Sequence, residues 1–173
     1  MSFKYFDSLT GFARDPLAEH STFLFDCDGL LLDTEPLYTR AACTLIHRLG
    51  GELLPALPPT LKLSVMGRTR LSVAEKMTAW LQAEHGIHCS PADWSSQVEA
   101  FEHEEFRRGC QLLPGARELV QWLRGQGKIA LATSSQRSAF EIKTRPHRQV
   151  LFDHFPVIVC GDDLEGKIWV VSG

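Results

Sequence analysis

Phe23-Leu24-Phe25-Asp26-Cys27-Asp28-Gly29-Leu30-Leu31-Leu32-Asp33-Thr34-Glu35 decides how the rest of the 173-residue chain is read. An apolar run ending in two acids predicts a buried parallel strand, Phe23 to Asp28, that delivers carboxylates to the carboxyl edge of an α/β sheet, where open sheets keep their chemistry. Strand alternation puts Asp26 and Asp28 on the same side, and Gly29 lets the chain turn with no Cβ to obstruct a ligand. Two such acids suit a hard cation and a division of labour, one carboxylate as nucleophile and the other as proton carrier. Alone, Asp-x-Asp is also an ordinary solvated turn.

Further along, Pro36 opens a helix whose Leu37, Tyr38, Ala41, Ala42, Leu45, Ile46 and Leu49 fall at helical spacing, and Gly50-Gly51 ends it. Leu53 to Pro59 reads as a Pro-rich loop and Ser64 to Thr69 as a turn into a helix carrying Leu71, Ala74, Met77, Trp80 and Leu81. Ser90-Pro91-Ala92-Asp93 is a helix start, followed by a stripe of Trp94, Val98 and Phe101. The charges Glu99, Glu102, Glu104, Glu105, Arg107 and Arg108 read as an exposed face with internal ion pairs. Because 37–113 contains no convincing strand, it reads as a helical insertion between two pieces of an α/β core, 21–36 and 114–173, after an extension over 1–20. In the second piece a helix over Ala116 to Leu123 precedes the strand Lys128 to Ser135. A helix from Gln136 to Pro146 and a strand from Phe155 to Asp163 follow. Thr133 and Ser134 are either a plain helix cap or, next to the two aspartates, phosphate receptors at a positive helix end.

Composition sets limits on partners and compartment. With 44% hydrophobic and 23% charged residues, net charge −3 and no long basic run, neither nucleic acid nor an anionic membrane is indicated as a partner. No apolar segment within the first twenty residues is long enough for a leader or a span, and five scattered cysteines fit a reducing, cytoplasmic location. His85-x-x-His88-Cys89 reads as a solvated loop in the absence of a second ligand cluster.

The strand with Asp26-Cys27-Asp28-Gly29, together with Ala132-Thr133-Ser134-Ser135, resembles the first two motifs of the haloacid dehalogenase superfamily. Val65-Met66-Gly67, Leu112-Leu113-Pro114-Gly115-Ala116, Lys143-Thr144 with His147 and Gly161-Asp162-Asp163 narrow the likeness to the pseudouridine-5′-phosphatase branch, from about Thr22 to Lys167. The resemblance implies an incomplete Rossmann-like parallel sheet with a helical cap that closes over a small phosphorylated metabolite. Asp26 would attack phosphorus, forming an aspartyl-phosphate, and Asp28 would be the general acid/base. Mg²⁺ would sit between the Asp26 carboxylate and the Asp28 backbone carbonyl. Thr133 and Ser134 would hold phosphate, and Glu35, Arg68 and Thr69 would face the cleft. Sugar or nucleoside monophosphates are the implied substrates, pseudouridine 5′-phosphate first among them.

The likeness departs at the carboxyl end, where the family pattern Gly-Lys-Pro-x-Pro-Asp is replaced by Gly166-Lys167-Ile168-Trp169. Lys167 is either the third-motif lysine, completing the phosphate site, or an exposed lysine near the terminus. No acid follows it to fill the Mg²⁺ shell. The expectations are weak cation binding and a first strand left as an apolar sheet edge open to self-association. The alternative to an active phosphatase is an inactive, phosphatase-like remnant.

Overall fold

A computed structural model describes residues 22–163, so Lys167 and the 1–20 extension lie outside the described residues. The short strand β1 (Thr22–Phe25) pairs in parallel with β2 (Lys128–Ala132), which pairs in parallel with β3 (Ile158–Val159). The sheet order is β1-β2-β3, leaving β1 at an edge among the described residues, with Leu24 70% exposed. Phe25 pairs with Leu131 at the last rung, and the chain then leaves the sheet. Asp26 and Asp28 therefore stand beyond the strand rather than within it, which corrects the expected strand over Phe23 to Asp28. The third strand is shorter still, two residues, because Pro156 cannot donate to a ladder and Gly161 turns the chain away.

Helices α1 (Glu35–Arg48), α2 (Pro59–Val65), α3 (Arg70–His85) and α4 (Pro91–Arg108) come between β1 and α5 (Ala116–Arg124), and α6 (Arg137–Thr144) lies between β2 and β3. Short α2 replaces part of the expected loop and turn. Pro58 and Pro59 set its entry, as proline costs nothing in a first turn whose N–H groups are unpaired anyway. The start of α4 follows its sequence signal: Asp93 N donates to Ser90 Oγ at 3.1 Å, and Ser90 Oγ donates to the Asp93 carboxylate at 2.6 Å.

Two hydrophobic clusters organise the burial. One gathers Phe25, Leu31, Leu32, Val120, Ile129, Leu131, Phe140 and Phe152 around the sheet; the other gathers Leu45, Ile46, Met77, Leu81, Trp94 and Val98 among the inserted helices. The connecting segments run side by side: Asp33 N donates to Gln111 O and Leu113 N to Leu31 O, both at 2.9 Å.

The charged face of α4 corrects a second expectation. Glu102 and Glu105 are buried, and they meet Arg70 of α3 at 2.8 Å and Arg40 of α1 at 2.6 Å. The expected pairs internal to α4 are also present: Arg108 meets Glu104 at 2.7 Å on the surface and Glu105 at 2.5 Å. The two interhelical pairs satisfy carboxylates that the helix packing removes from water.

Trp94, 2% exposed, is among the largest side chains in the insertion's own cluster. Trp94→Ala is expected to cost about 3–5 kcal/mol of stability, read as a lower urea midpoint. An unchanged midpoint would show that the inserted helices do not share this core.

Candidate active site

The exits of β1 and β2 converge at the carboxyl edge of the sheet. After β1, Leu31 N and Leu32 N both donate to Cys27 O at 3.0 Å, and Gly29 N donates to Leu32 O at 2.9 Å. Gly29 has φ +75, a left-handed conformation that a Cβ would strain. This tight turn presents Asp26 and Asp28 on either side of buried Cys27. Asp26 is open to solvent, and one carboxylate oxygen accepts the Cys27 N–H at 2.7 Å. Partial desolvation raises the Asp26 pKa above its ordinary value; the Cys27 N–H opposes the shift, the neighbouring Asp28 charge adds to it, and Lys143 opposes it.

Asp28 is held quite differently. Its Oδ1 and Oδ2 lie 2.5 and 2.6 Å from Lys143 Nζ, and Oδ2 also accepts Ser135 Oγ–H at 2.8 Å and Thr133 Oγ1–H at 3.4 Å. Lys143 Nζ reaches Ser135 Oγ at 2.6 Å. The Lys143 side chain is 0% exposed and that of Asp28 is 23% exposed. Burial works against the ammonium, but the Asp28 carboxylate outweighs it, with Tyr38 and Cys27 adding to the same effect, and the Lys143 pKa lies above the ordinary lysine value. The far side of the ammonium faces the Phe106 ring, 5.6 Å from its centroid, and Phe106 in turn packs edge-on against Tyr38 at 5.4 Å. Burial, with the Asp28 charge second, pushes the Tyr38 hydroxyl up to about 12.

Thr133, expected at the phosphate, is buried; its hydroxyl accepts Ser135 N–H at 3.2 Å as well as bracing Asp28. Ser134 is exposed at the edge. The loop after β3 comes so close to it that a Cβ on Gly161 would meet Ser134 O at 2.4 Å, while Gly161 N donates to Ser135 O at 2.8 Å. Asp162 and Asp163 are engaged with the start of α6: Arg137 N donates to Asp162 Oδ1 at 2.7 Å, and the Arg137 guanidinium pairs with Asp163. Thr69 spends its hydroxyl as the N-cap of α3, Arg68 is exposed, and Glu35 opens α1. His85 ends α3 against Trp80 rather than lying in a loop, and His88 lies 3.2 Å from the Gln82 amide.

Lys143 and Ser135 are the site residues that the sequence reading did not assign. The signal for Lys143 lay in its spacing: Ala139, Phe140, Lys143 and Thr144 are the buried positions of α6, so the lysine falls on an inward stripe.

A family model for haloacid dehalogenase-like hydrolases matches residues 20–170. This chain belongs to that family. It is 35% identical over 139 residues to "Probable pseudouridine-5′-phosphatase" of Drosophila melanogaster, covering 80% of this chain and 56% of the relative. It is 34% identical over 147 residues to (DL)-glycerol-3-phosphatase 1 of Arabidopsis thaliana, covering 83% and 46%. The chain thus spans about half the length of these curated relatives. A crystal structure from Haemophilus somnus, described as a predicted phosphoglycolate phosphatase, superposes with TM-score 0.70 at 15% identity, covering 90% of this chain and 67% of that one, a likeness of fold. No helix among the described residues is long and apolar enough to cross a membrane.

The charge pattern makes opposite predictions for the two aspartates. Asp28→Ala strands a buried ammonium and should cost about 3–5 kcal/mol. Asp26→Asn should instead stabilise the chain at pH 7. The folded state binds the Asp26 proton more tightly than the unfolded chain, so wild-type stability from this group is present at acid pH and falls as pH rises through the folded pKa. The Asn variant escapes that loss, and its advantage should vanish as pH is lowered towards the ordinary value of 3.8. Denaturation midpoints at several pH values check both.

Proposed function

We propose that the chain is a phosphatase of small phosphomonoesters that works through an aspartyl-phosphate. The carrying observation is the contrast between its two aspartates: Asp26 is open, with one oxygen fixed by Cys27 N–H, while Asp28 is anchored by Lys143 and Ser135 beside it. The free Asp26 oxygen attacks phosphorus, the bond to the leaving oxygen breaks, and that oxygen takes a proton from Asp28. In the second half Asp28 takes a proton from water, the water oxygen attacks phosphorus, and the bond to Asp26 breaks. Inorganic phosphate leaves and both carboxyl groups are restored. Exposed Ser134 just before α6 and, outside the described residues, Lys167 are the proposed phosphate contacts.

Mg²⁺ is the ion that the family resemblance proposes, with Asp26 and the Asp28 backbone carbonyl as its protein donors. Among the described residues no group of three or more His, Cys, Asp or Glu could hold a metal, so those residues alone do not make a tight octahedral site. A second reading, phosphate binding without turnover, is favoured by that sparse donor set.

The inserted helices are proposed as a cap that roofs the site, with sugar and nucleoside monophosphates preferred to folded phosphoproteins; pseudouridine 5′-phosphate heads the list. Five free thiols support a reducing, cytoplasmic setting. The apolar edge at Leu24 supports self-association through β1, and equilibrium sedimentation of wild type and Leu24→Lys checks it.

Asp26→Asn should abolish release of inorganic phosphate from a panel of small phosphomonoesters with Mg²⁺ present. Equal turnover by wild type and variant removes the mechanism; phosphate binding by a wild type without turnover favours the second reading.

A further inference from the structure

The geometry points to Lys143 as the positioning residue for the general acid/base: its ammonium clamps the Asp28 carboxylate and ties it to the start of the inserted helices. The inference rests on the phosphatase reading for the role of Asp28, but the clamp itself is a matter of geometry. Both carboxylate oxygens lie within 2.6 Å of Nζ, and Oδ1 has no other hydrogen-bond partner among the described residues. Oδ2 is braced further by Ser135 and Thr133. Without Lys143, one good side-chain hydrogen bond from Ser135 would remain, leaving the carboxylate free to turn about it.

Lys143 is also enclosed on its other side. Phe106, near the end of α4, covers the ammonium, and Tyr38, in the first turn of α1, packs on Phe106. These helix ends adjoin the paired connectors at Asp33–Gln111 and Leu31–Leu113. The lysine therefore joins the Asp28 carboxylate to the place where the inserted helices attach. It touches neither Asp26 nor the open edge at Ser134 through any hydrogen bond among the described residues, which separates it from a phosphate ligand. Its action on the reaction runs through Asp28.

A misplaced proton donor is felt only where the leaving oxygen needs a proton. Alkyl phosphates need one, whereas 2,4-dinitrophenyl phosphate departs as a stabilised anion. In the 173-residue chain, Lys143→Met is expected to lower kcat/KM for an alkyl phosphate about 100-fold, the scale of a small misplacement of a reacting group. For 2,4-dinitrophenyl phosphate the loss should stay within about 5-fold, since general acid catalysis is what has been removed. Asp28→Asn should show the same leaving-group split, the double variant should add nothing further, and inhibition by inorganic phosphate should be unchanged.

Equal losses on both substrates, a gain on the alkyl phosphate, or weakened inhibition by phosphate would overturn the positioning role. If wild type turns over neither substrate, the phosphatase reading falls. The clamp is then judged from a crystal structure of Lys143→Met, in which a displaced Asp28 carboxylate upholds it and an unmoved one overturns it.

Discussion

A fully buried ammonium has to find an anion, and in this chain the requirement is met by one carboxylate across 115 residues of sequence. The pair brings the turn after β1, the exit of β2 and the inner face of α6 into one position. Ser135, bonded to both partners, fixes the β2 exit to the same point. Were α6 to shift by a turn, Lys143 would lose its partner and the apolar stripe of Ala139 and Phe140 would leave the sheet with it. Charge pairing and hydrophobic packing therefore demand the same docking of α6, the agreement between levels that marks a uniquely specified arrangement.

The same logic recurs among the inserted helices, where Glu102 and Glu105 lie inside the helix packing and each takes an arginine from a different helix. These pairs add little net stability, since desolvation offsets most of the attraction, but a wrong register of α4 would bury carboxylates without partners. Cys27, Cys110 and Cys160 serve as small apolar fillers of the sheet cluster, and burial is the first cause holding each thiol protonated.

The helices α1, α3 and α4, the parallel strands and the meeting of Asp28 with Thr133 were all legible, because each rests on local periodicity, a cap or a strand end. Gly86 has φ +65 and closes α3, as a glycine after a helical stripe predicts. What escaped was charge on inward stripes. The two buried glutamates read by residue type as part of an exposed face, and Lys143 only as part of a family motif with no role, although their spacing from Trp94, Val98 and Phe140 put them on the covered side. Their partners come from distant elements, so spacing could have shown that these charges go inside but not what they meet. The first strand was overestimated because Asp26-Cys27-Asp28 runs on directly from the apolar stretch, although the ladder ends at Phe25 opposite Leu131.

Helices α1 and α4 each belong to both hydrophobic clusters. Leu37 packs at the sheet and Ile46 among the inserted helices; Phe106 packs at the sheet and Trp94 at the other end. At 1.5 Å per residue, the stretch from Ser90 to Phe106 is about 24 Å long, so a tilt of about 10° at Phe106 sweeps the Ser90 end through roughly 4 Å. Such a helix works as a lever with its short arm against the Lys143 ammonium. Tilts too small to disturb packing at the sheet would move the far end of α4 by more than the diameter of a water molecule.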